Sequence, residues 1–328
     1  MAHAHITGWG KYLPQKVLTN ADLEKIVDTS DDWIISRTGI RERHIVGDDE
    51  ATSTMAVEAG RNALKIAALA PDALDLVILT TNSPDRTFPA SAAMVQHALG
   101  ATSAAAFDAM AGCSGFIYAL VTAYQYITAG SYRNVLVVGS EALTRLVDWN
   151  DRSTCVLFGD GAGAVVVQAG DSETDMLSFV MGNDGSGADS LWAAGPCGRL
   201  GERSQNGHYY LTMDGREVFR FAVNAIVEYS KQAVDKAGFK MADIDLVIPH
   251  QANTRINEAS LVKALGIPRE KIFENIDRYG NMSSASPAVA LCEAVEQGRL
   301  KKGDLVLLVA FGAGLSWAAT VLRWQSKN

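Results

Sequence analysis

The chain repeats itself, and this duplication constrains its fold more than any other feature of the sequence. The run Asp-Leu-Val-Ile begins at Asp75 and again at Asp245, 170 residues later. A strand-like run followed by a phenylalanine-glycine turn also occurs in both parts of the chain. In the first part an insertion, 140–157, separates the run from its turn, and in the second part the turn follows directly. The sequence therefore predicts two similar halves, residues 1–172 and 173–328.

Each half alternates apolar, β-branched runs with helical segments, which is typical of α/β proteins whose strands are covered on both faces. We predict five strands in each half, with the helices packed against them as layers. The predicted strands are 4–9, 75–81, 105–110, 134–140 and 162–168, then 177–183, 245–249, 271–276, 304–310 and 316–322. The predicted helices are 51–69, 114–129, 217–237, 254–265 and 284–297.

Charge and composition exclude several classes of protein. Lys and Arg number 29 against 37 Asp and Glu, and an acidic chain without a basic run argues against nucleic-acid binding. The uncharged stretch 109–132 and the apolar stretch 305–322 contain glycines and are interpreted as buried core elements, so no membrane span is expected. No cysteine pair has zinc-ligand spacing, and the N-terminus does not resemble a secretory signal. The chain is predicted to be cytoplasmic and without a metal.

The candidate nucleophile is Cys113, in the run Ala-Gly-Cys-Ser-Gly that ends at Gly115. A strand is predicted to end near Met110 and an uncharged helix to start after the cysteine. This small-residue turn is similar to a nucleophile elbow, in which a strand-to-helix corner presents a reactive side chain. We expect the turn to expose Sγ and the helix N-terminus to lower the pKa of the thiol. The alternative is a small buried core cysteine, which is the interpretation for Cys155, Cys197 and Cys292.

Two turns of the second half are candidate partners for this cysteine. His250 follows strand 245–249 at its carboxyl end, where open α/β sheets place their sites, although a structural hydrogen bond is an alternative role. Asn281 lies in a polar glycine loop before a helix, where the alternative role is an N-cap. Because this loop is the repeat counterpart of the Cys113 turn, the duplication predicts that the two turns face one another, with His250 beside them.

Two glycine-rich runs have weaker interpretations. In the run from Phe311 to Gly314, the backbone amide of Ala313 could form an oxyanion hole with that of Cys113, or the run could be only a tight turn between strands. The run that starts at Gly159 precedes a strand instead of following one, which argues against a dinucleotide-binding loop.

With these motifs in place, the chain resembles the β-ketoacyl-[acyl-carrier-protein] synthase III family of the thiolase-like superfamily. The resemblance extends from residue 8 to residue 322. The matching runs are 29–43 (TSDDWIISRTGIRER), the Cys113 turn, 158–163 (FGDGAG), 249–256 (PHQANTRI) and 280–286 (GNMSSAS). The resemblance implies a five-layered α-β-α-β-α fold built from two duplicated five-stranded halves, in a homodimer.

The resemblance also implies a reaction. Cys113 would take a short acyl group from an acyl-CoA, and malonyl-acyl carrier protein would then lose CO2 and condense with it to a 3-oxoacyl product that initiates fatty acid synthesis. His250 and Asn281 would complete the triad and donate hydrogen bonds to the malonyl thioester oxygen. No cofactor is implied, because the CoA thioester is a substrate.

The residues implied for substrate recognition fall into three groups. Trp33 would stack on the CoA adenine, within a CoA-binding set that comprises Thr29, Trp33, Arg37, Arg152 and Asn253. The carrier-protein site would comprise Gln251, Ala252, Asn253, Thr254 and Arg255, with Arg255 as its main charge. Phe88 would reach across the dimer into the acyl pocket of the partner subunit.

Some positions depart from the family pattern, and three other functions remain open. Ala313 and Met282 stand where Gly and Thr are common, and residues 184–208, with Trp192, match poorly near the expected acyl pocket. We therefore expect a short primer, most simply acetyl, while a condensing enzyme with a special primer is a first alternative. A cysteine hydrolase is the second, since Cys, His and Asn occur in this order in papain-like proteases. An acyl-binding scaffold without activity is the third.

Overall fold

The computed structural model describes residues 3–171, 175–196 and 209–326. The predicted boundary between the halves, at residues 172 and 173, lies outside the described residues, as does Cys197. Within the described ranges, no helix has the length and apolar character needed to cross a membrane.

The first half alternates strands and helices in the predicted order. Its elements are β1 (His3–Tyr12), β2 (Lys16–Thr19), α1 (Asn20–Leu23), α2 (Asp31–Thr38), β3 (Glu42–Ile45), α3 (Thr52–Ala67), β4 (Leu76–Thr80), α4 (Ser91–Leu99), β5 (Ala105–Ala109), α5 (Gly115–Thr128), β6 (Asn134–Ala142) and β7 (Asp160–Gly170).

The second half repeats the plan after an excursion that contains two short strands. Its elements are β8 (Met176–Asn183), β9 (Leu191–Ala193), β10 (Leu211–Met213), α6 (Gly215–Lys236), β11 (Leu246–Pro249), α7 (Thr254–Asn257), which continues as a π-helical segment (Glu258–Ala264), α8 (Ile276–Tyr279), α9 (Ala285–Glu296), β12 (Leu305–Gly312) and β13 (Ser316–Arg323).

The two main sheets have equivalent topologies, as the duplication predicts. The first has the strand order β1-β7-β6-β4-β5 and the second β8-β13-β12-β11. In the first sheet β4 is parallel to both neighbours, and β7 runs antiparallel to β1 and β6. In the second sheet β11 is parallel to β12, and β13 runs antiparallel to β12 and β8. Each strand of the second sheet therefore has a counterpart in the first.

The fifth strand of the second half, predicted at 271–276, is reduced to a single bridge between Ile272 and Val247. The side chain of Gln251 explains the loss. Its Nε2 donates to the carbonyl of Phe273 at 3.1 Å, and its Oε1 accepts from the amide of Asn275 at 3.1 Å. A side-chain amide thus takes backbone groups that a strand neighbour would otherwise bond.

The elements form the five predicted layers. Helices α3 and α4 cover the outer face of the first sheet, and α6 covers the outer face of the second. Between the sheets lie α5 and α9, each packed on both of them. One apolar cluster joins the two sheets to these central helices, so the core runs through the boundary between the halves. The N-termini of α5 and α9 are consequently brought together at the centre of the molecule.

Candidate active site

Cys113 lies at the corner between β5 and α5, as predicted. Gly112 makes the corner possible because its φ of +56° is a left-handed conformation that side chains disfavour. The corner packs directly on the β12–β13 turn: a Cβ built on Gly312 would stand 2.3 Å from the backbone nitrogen of Cys113. The cysteine is only 8% exposed, so the prediction that the turn exposes Sγ was wrong. The sulfur lies instead at the wall of a cavity.

The turn before α9 faces this cysteine, which confirms the arrangement predicted from the repeat. Ser283 Oγ donates to Cys113 Sγ at 3.2 Å. Ser283 has a φ of +44°, a conformation that a serine adopts only when its surroundings hold it there. The two residues are 170 residues apart, the same offset as that between Asp75 and Asp245. They are therefore equivalent positions of the two halves, in contact with one another.

His250 follows the last residue of β11 and lines the same cavity as Cys113. It is 1% exposed, and its ring packs edge-on against Phe311 with the centroids 5.4 Å apart. Neither ring nitrogen has a hydrogen-bond partner among the described residues. Burial lowers the pKa of this imidazole to about 3, so the ring is neutral at pH 7, with one nitrogen able to donate and the other to accept.

Asn281, the third residue of the expected triad, has a fixed side-chain amide. Its Oδ1 accepts from the backbone amide of Ser283 at 2.8 Å, and its own backbone amide donates to Leu157. Its Nδ2 makes no hydrogen bond to any residue that the structure describes, and the residue lines the cavity. The donor of the carboxamide is therefore available to a ligand.

The acidity of Cys113 differs from the prediction. Burial raises the pKa of the thiol to about 12, against the smaller lowering effect of the Ser283 hydrogen bond. A helix N-terminus stabilises an anion by about 1 kcal/mol, which is less than a tenfold change in acidity. In a site closed between two halves, the cost of removing a thiolate from water is larger. The resting pair is therefore a thiol and a neutral imidazole.

The cavity has a volume of about 850 Å³ and is shared by both halves. Cys113, His250, Asn281, Gly312 and Ala313 are among its lining residues. The approach of Gly312 to the Cys113 backbone suits the expected pair of oxyanion-hole amides. The apolar part of its lining includes Leu143, Leu146, Leu157, Leu191, Trp192, Leu211, Met213 and Phe219.

Three of the residues expected to bind CoA form a cluster. The guanidinium carbons of Arg37 and Arg152 lie 4.9 and 5.2 Å from the centre of the Trp33 ring. Arg152 is also held by the carbonyl of Asp28 at 2.8 Å. An aromatic face with two guanidinium groups suits a nucleotide base and its phosphates. The fourth expected residue, Thr29, differs, because its hydroxyl is buried without a partner among the residues described.

The residues of the expected carrier-protein site, 251–255, differ in how deeply they are buried. Gln251 is fully buried and bonded to backbone groups, so its prediction as a carrier-protein contact was wrong. Arg255 is exposed at the start of α7, over the ring of Phe219 at 5.8 Å. Ala252 and Asn253 line the cavity. Thr254 packs on α2, and its hydroxyl donates to the carbonyl of Thr38 at 3.3 Å.

The remaining predicted residues have simple positions. Phe88 is 81% exposed, the position expected of a side chain that another subunit covers. Cys155 and Cys292 are buried free thiols, in agreement with their interpretation as core residues. No group of three His, Cys, Asp or Glu side chains that could hold a metal occurs in the described ranges.

Three polar residues that were not predicted from the sequence are connected to Cys113 by hydrogen bonds: Ser283, Asn82 and Glu141. Asn82 Nδ2 donates both to Ser283 Oγ at 3.0 Å and to Glu141 Oε1 at 2.8 Å. The 170-residue offset of the repeat could have identified Ser283 as the counterpart of Cys113. The other two become visible only when the sheets are assembled.

The chain is similar to known proteins over nearly its whole length. The family model described as 3-oxoacyl-[acyl-carrier-protein (ACP)] synthase III matches residues 107–185, and the model for its C-terminal part matches residues 234–324. A β-ketoacyl-[acyl-carrier-protein] synthase III from Roseiflexus sp. is 51% identical over 327 residues, 99% of each chain. One from Caldanaerobacter subterraneus is 49% identical over 98% of each chain.

Solved structures of similar sequence also share the fold of this chain. The 3-oxoacyl-[acyl-carrier-protein] synthase III from Aquifex aeolicus is 49% identical, with a TM-score of 0.91 over 98% of this chain and 100% of that one. The priming β-ketosynthase of the R1128 polyketide biosynthetic pathway is 38% identical, with a TM-score of 0.94 over 99% and 97%.

Proposed function

Because the chain belongs to the 3-oxoacyl-[acyl-carrier-protein] synthase III family, we propose that Cys113 carries an acyl group from CoA to malonyl-acyl carrier protein. The chain is a condensing acyltransferase of fatty acid synthesis. The observation that carries the assignment of residues is the shared cavity. It joins the Cys113 sulfur, a neutral imidazole and a carboxamide whose Nδ2 is available to a ligand.

In the first half-reaction, the sulfur of Cys113 attacks the carbonyl carbon of the acyl-CoA. Because the resting thiol is protonated, His250 accepts its proton as the carbon–sulfur bond forms. The amides of Cys113 and Ala313 stabilise the tetrahedral oxyanion. The bond to the CoA sulfur then breaks, CoA leaves with the proton that the imidazole returns, and the acyl group remains on Cys113.

In the second half-reaction, malonyl-acyl carrier protein loses CO2. The electron pair of the broken carbon–carbon bond moves toward the thioester oxygen, where negative charge develops. The free ring donor of His250 and Nδ2 of Asn281 stabilise that charge. The resulting carbanion attacks the acyl carbon, the bond to Cys113 breaks, and the sulfur takes up a proton to regenerate the thiol.

Separate groups of positively charged residues are proposed to recognise the two substrates. The Trp33, Arg37 and Arg152 cluster offers stacking and phosphate pairing for the nucleotide end of CoA. Asn253, which lines the cavity, is proposed to contact CoA as well. Arg255 offers an exposed positive charge to the acidic carrier protein, beside Ala252 and Asn253 at the cavity.

The chain is further proposed to act as a homodimer in the cytoplasm, without a cofactor. Phe88, at 81% exposed, and Met110, at 70%, are large apolar side chains that a second subunit would cover. The free thiols of the described cysteines suit a reducing compartment. The reaction requires only thioester chemistry, which the residues of the cavity supply.

The assignment is tested by intact-protein mass spectrometry after incubation with acetyl-CoA, branched acyl-CoA and longer acyl-CoA. One acyl group is expected on residue 113, followed by a 3-oxoacyl product when malonyl-acyl carrier protein is added. Release of free acid from a thioester or a peptide would identify a cysteine hydrolase. Failure with every thioester would identify an acyl-binding scaffold.

The same series of primers tests a second candidate, the priming of a polyketide pathway, which the similarity to the R1128 enzyme favours. A primer preference that falls gradually from acetyl supports fatty acid initiation, because an apolar pocket discriminates by about 1–3 kcal/mol per methylene. A clear maximum at a special or longer primer supports the second candidate.

A further inference from the structure

Glu141, at the end of β6, is a carboxylate that the proposed reaction does not use. It is fully buried, and it has no Lys, Arg or His within ion-pair distance among the described residues. Such a charge is costly unless hydrogen bonds replace its lost hydration. Its two oxygens accept from the side chains of Thr81, Asn82, Ser83 and Ser284, and from the backbone amides of Asn82 and Ser284.

The carboxylate fixes the direction of the hydrogen bonds that lead from it to the reacting sulfur. An ionised carboxylate only accepts, so Asn82 must turn its NH2 group and not its carbonyl oxygen toward Glu141. The second proton of that NH2 group is directed at Ser283 Oγ, 3.0 Å away. The serine oxygen therefore accepts from Asn82, and its own single proton is left for Cys113 Sγ at 3.2 Å.

The backbone supports the same orientation. Ser283 has its left-handed φ of +44°, and its amide is held by Asn281 Oδ1 at 2.8 Å. The next residue, Ser284, is bonded to Glu141 through its hydroxyl at 2.7 Å. The backbone on both sides of Ser283 is thus anchored, with its hydroxyl within hydrogen-bond distance of the sulfur.

We propose that Ser283 is a catalytic residue that donates a hydrogen bond to the Cys113 sulfur, and that Glu141 is a positioning residue that acts on it through Asn82. The proposal rests on the proposed role of Cys113 as nucleophile. A donor at 3.2 Å stabilises the thiolate more than the thiol, both when it attacks the acyl-CoA and when the condensation expels it. In agreement with this role, the Ser283 hydrogen bond lowers the pKa of Cys113, against the larger effect of burial and the smaller one of the Glu141 charge, which both raise it.

The experiment compares the reactivity of the sulfur with iodoacetamide in variants of the intact chain. Alkylation follows the thiolate fraction, offset in part because a more basic thiolate is a better nucleophile. Ser283→Ala is expected to slow alkylation of Cys113 by about three- to tenfold at pH 8, and acetyl transfer from acetyl-CoA by about tenfold or more. Ser286→Ala is the matched control: this buried serine accepts from the Met282 amide in the same turn and does not touch the sulfur.

A double-variant cycle tests the link through Asn82, on which the proposed role of Glu141 depends. Asn82→Ala is expected to slow alkylation like Ser283→Ala, and the two effects are not expected to multiply in the double variant. Circular dichroism and Tm show whether each variant is folded, and Asn82→Ser, which adds no charge beside Glu141, serves if Asn82→Ala does not fold. An unchanged alkylation rate in folded Ser283→Ala would overturn the proposal, and multiplying effects would remove the role of Asn82. Because alkylation requires no thioester, a failure of acyl transfer with intact alkylation differences would overturn the proposed function alone.

Discussion

The turns before α5 and α9 occupy equivalent positions in the two halves but carry different functional groups. The first presents the thiol of Cys113, and the second presents a hydroxyl at the equivalent Ser283. The strands that follow these two helices, β6 and β12, also diverge. β6 reaches a buried carboxylate at Glu141, whereas the equivalent position of β12, 170 residues later, is the aromatic Phe311.

This divergence decides which helix end is available for chemistry. Glu141 lies at the start of α9, where its Oε1 accepts from the amide of Ser284 at 3.4 Å. The helix dipole there is already matched by an anion. At the start of α5 the equivalent residue carries no charge, so the positive end of that helix remains for the thiolate and the oxyanion. The duplicated scaffold has thus placed a buried carboxylate in one half and a reacting thiol in the other.

The largest expected effect separates the nucleophile from its counterpart. Cys113→Ala should abolish acyl transfer and condensation completely, because Ser283 does not replace the thiol. Residual decarboxylation of malonyl-acyl carrier protein should remain, since His250 and Asn281 are intact. Radiolabel transfer to protein and CO2 release measure the two steps. Label that persists on Cys155 or Cys292 would contradict the assignment.

The next largest effect distinguishes the roles of His250 and Asn281, the two hydrogen-bond donors of the second half. His250→Ala and Asn281→Ala should each reduce decarboxylation by about 100- to 1000-fold, the usual loss for one oxyanion donor. Asn281→Ala should retain acylation of Cys113. His250→Ala should slow acylation as well, because a thiol whose pKa burial raises to about 12 needs a base. Equal acylation in the two variants would show that the thiol loses its proton to another group.

A pH series on the resting enzyme sharpens the same point. The rate of Cys113 alkylation by iodoacetamide should rise about tenfold per pH unit from pH 6 to pH 10, because the pKa of the thiol lies above this range and thiolate increases with pH. No inflection is expected near pH 6.5, since burial lowers the pKa of His250 to about 3. A plateau at neutral pH would show that the resting site is a thiolate–imidazolium pair.

The contact between the halves can be tested by a pair of glycines. Gly112→Ala should slow acyl transfer by about tenfold or more, because its φ is +56° and a Cβ there would stand 2.7 Å from the carbonyl oxygen of Ala313. Gly130→Ala is the control, with a φ of +78° and no atom within 4 Å of its Cβ. It should lower the free energy of unfolding by about 1 kcal/mol and leave activity unchanged. Similar activity in both variants would argue against close contact at the cavity.

The smallest effects assign the two substrates to different halves. Trp33→Ala should raise KM for acetyl-CoA by about tenfold and leave KM for malonyl-acyl carrier protein nearly unchanged. Arg255→Glu should do the reverse by a few-fold, with a loss that diminishes at high salt as repulsion is screened. If each variant affects both substrates equally, the two groups do not separate the substrates.

The sequence was sufficient for the residues that a local pattern marks. Cys113 is flanked by turn glycines, His250 ends a strand, and the repeat predicts that the two turns meet. It was not sufficient for properties that arise when the halves close. The pKa of Cys113 follows from burial between them, and Gln251 is buried where its side chain bonds the backbone of Phe273 and Asn275. Glu141 is separated from Ser284 by 143 residues, and no local pattern relates them.

The pairing of β1 with β7 also has a consequence for synthesis. Residues 3–12 lie antiparallel to residues 162–170, so the first strand of the sheet cannot be placed until the ribosome has made more than half of the chain. The hydrogen bond to the Cys113 sulfur can form only later still, because its donor is residue 283. A nascent chain therefore carries its cysteine long before it has a site, and the site is complete only when the β12–β13 turn, which follows the last central helix, has packed against Cys113.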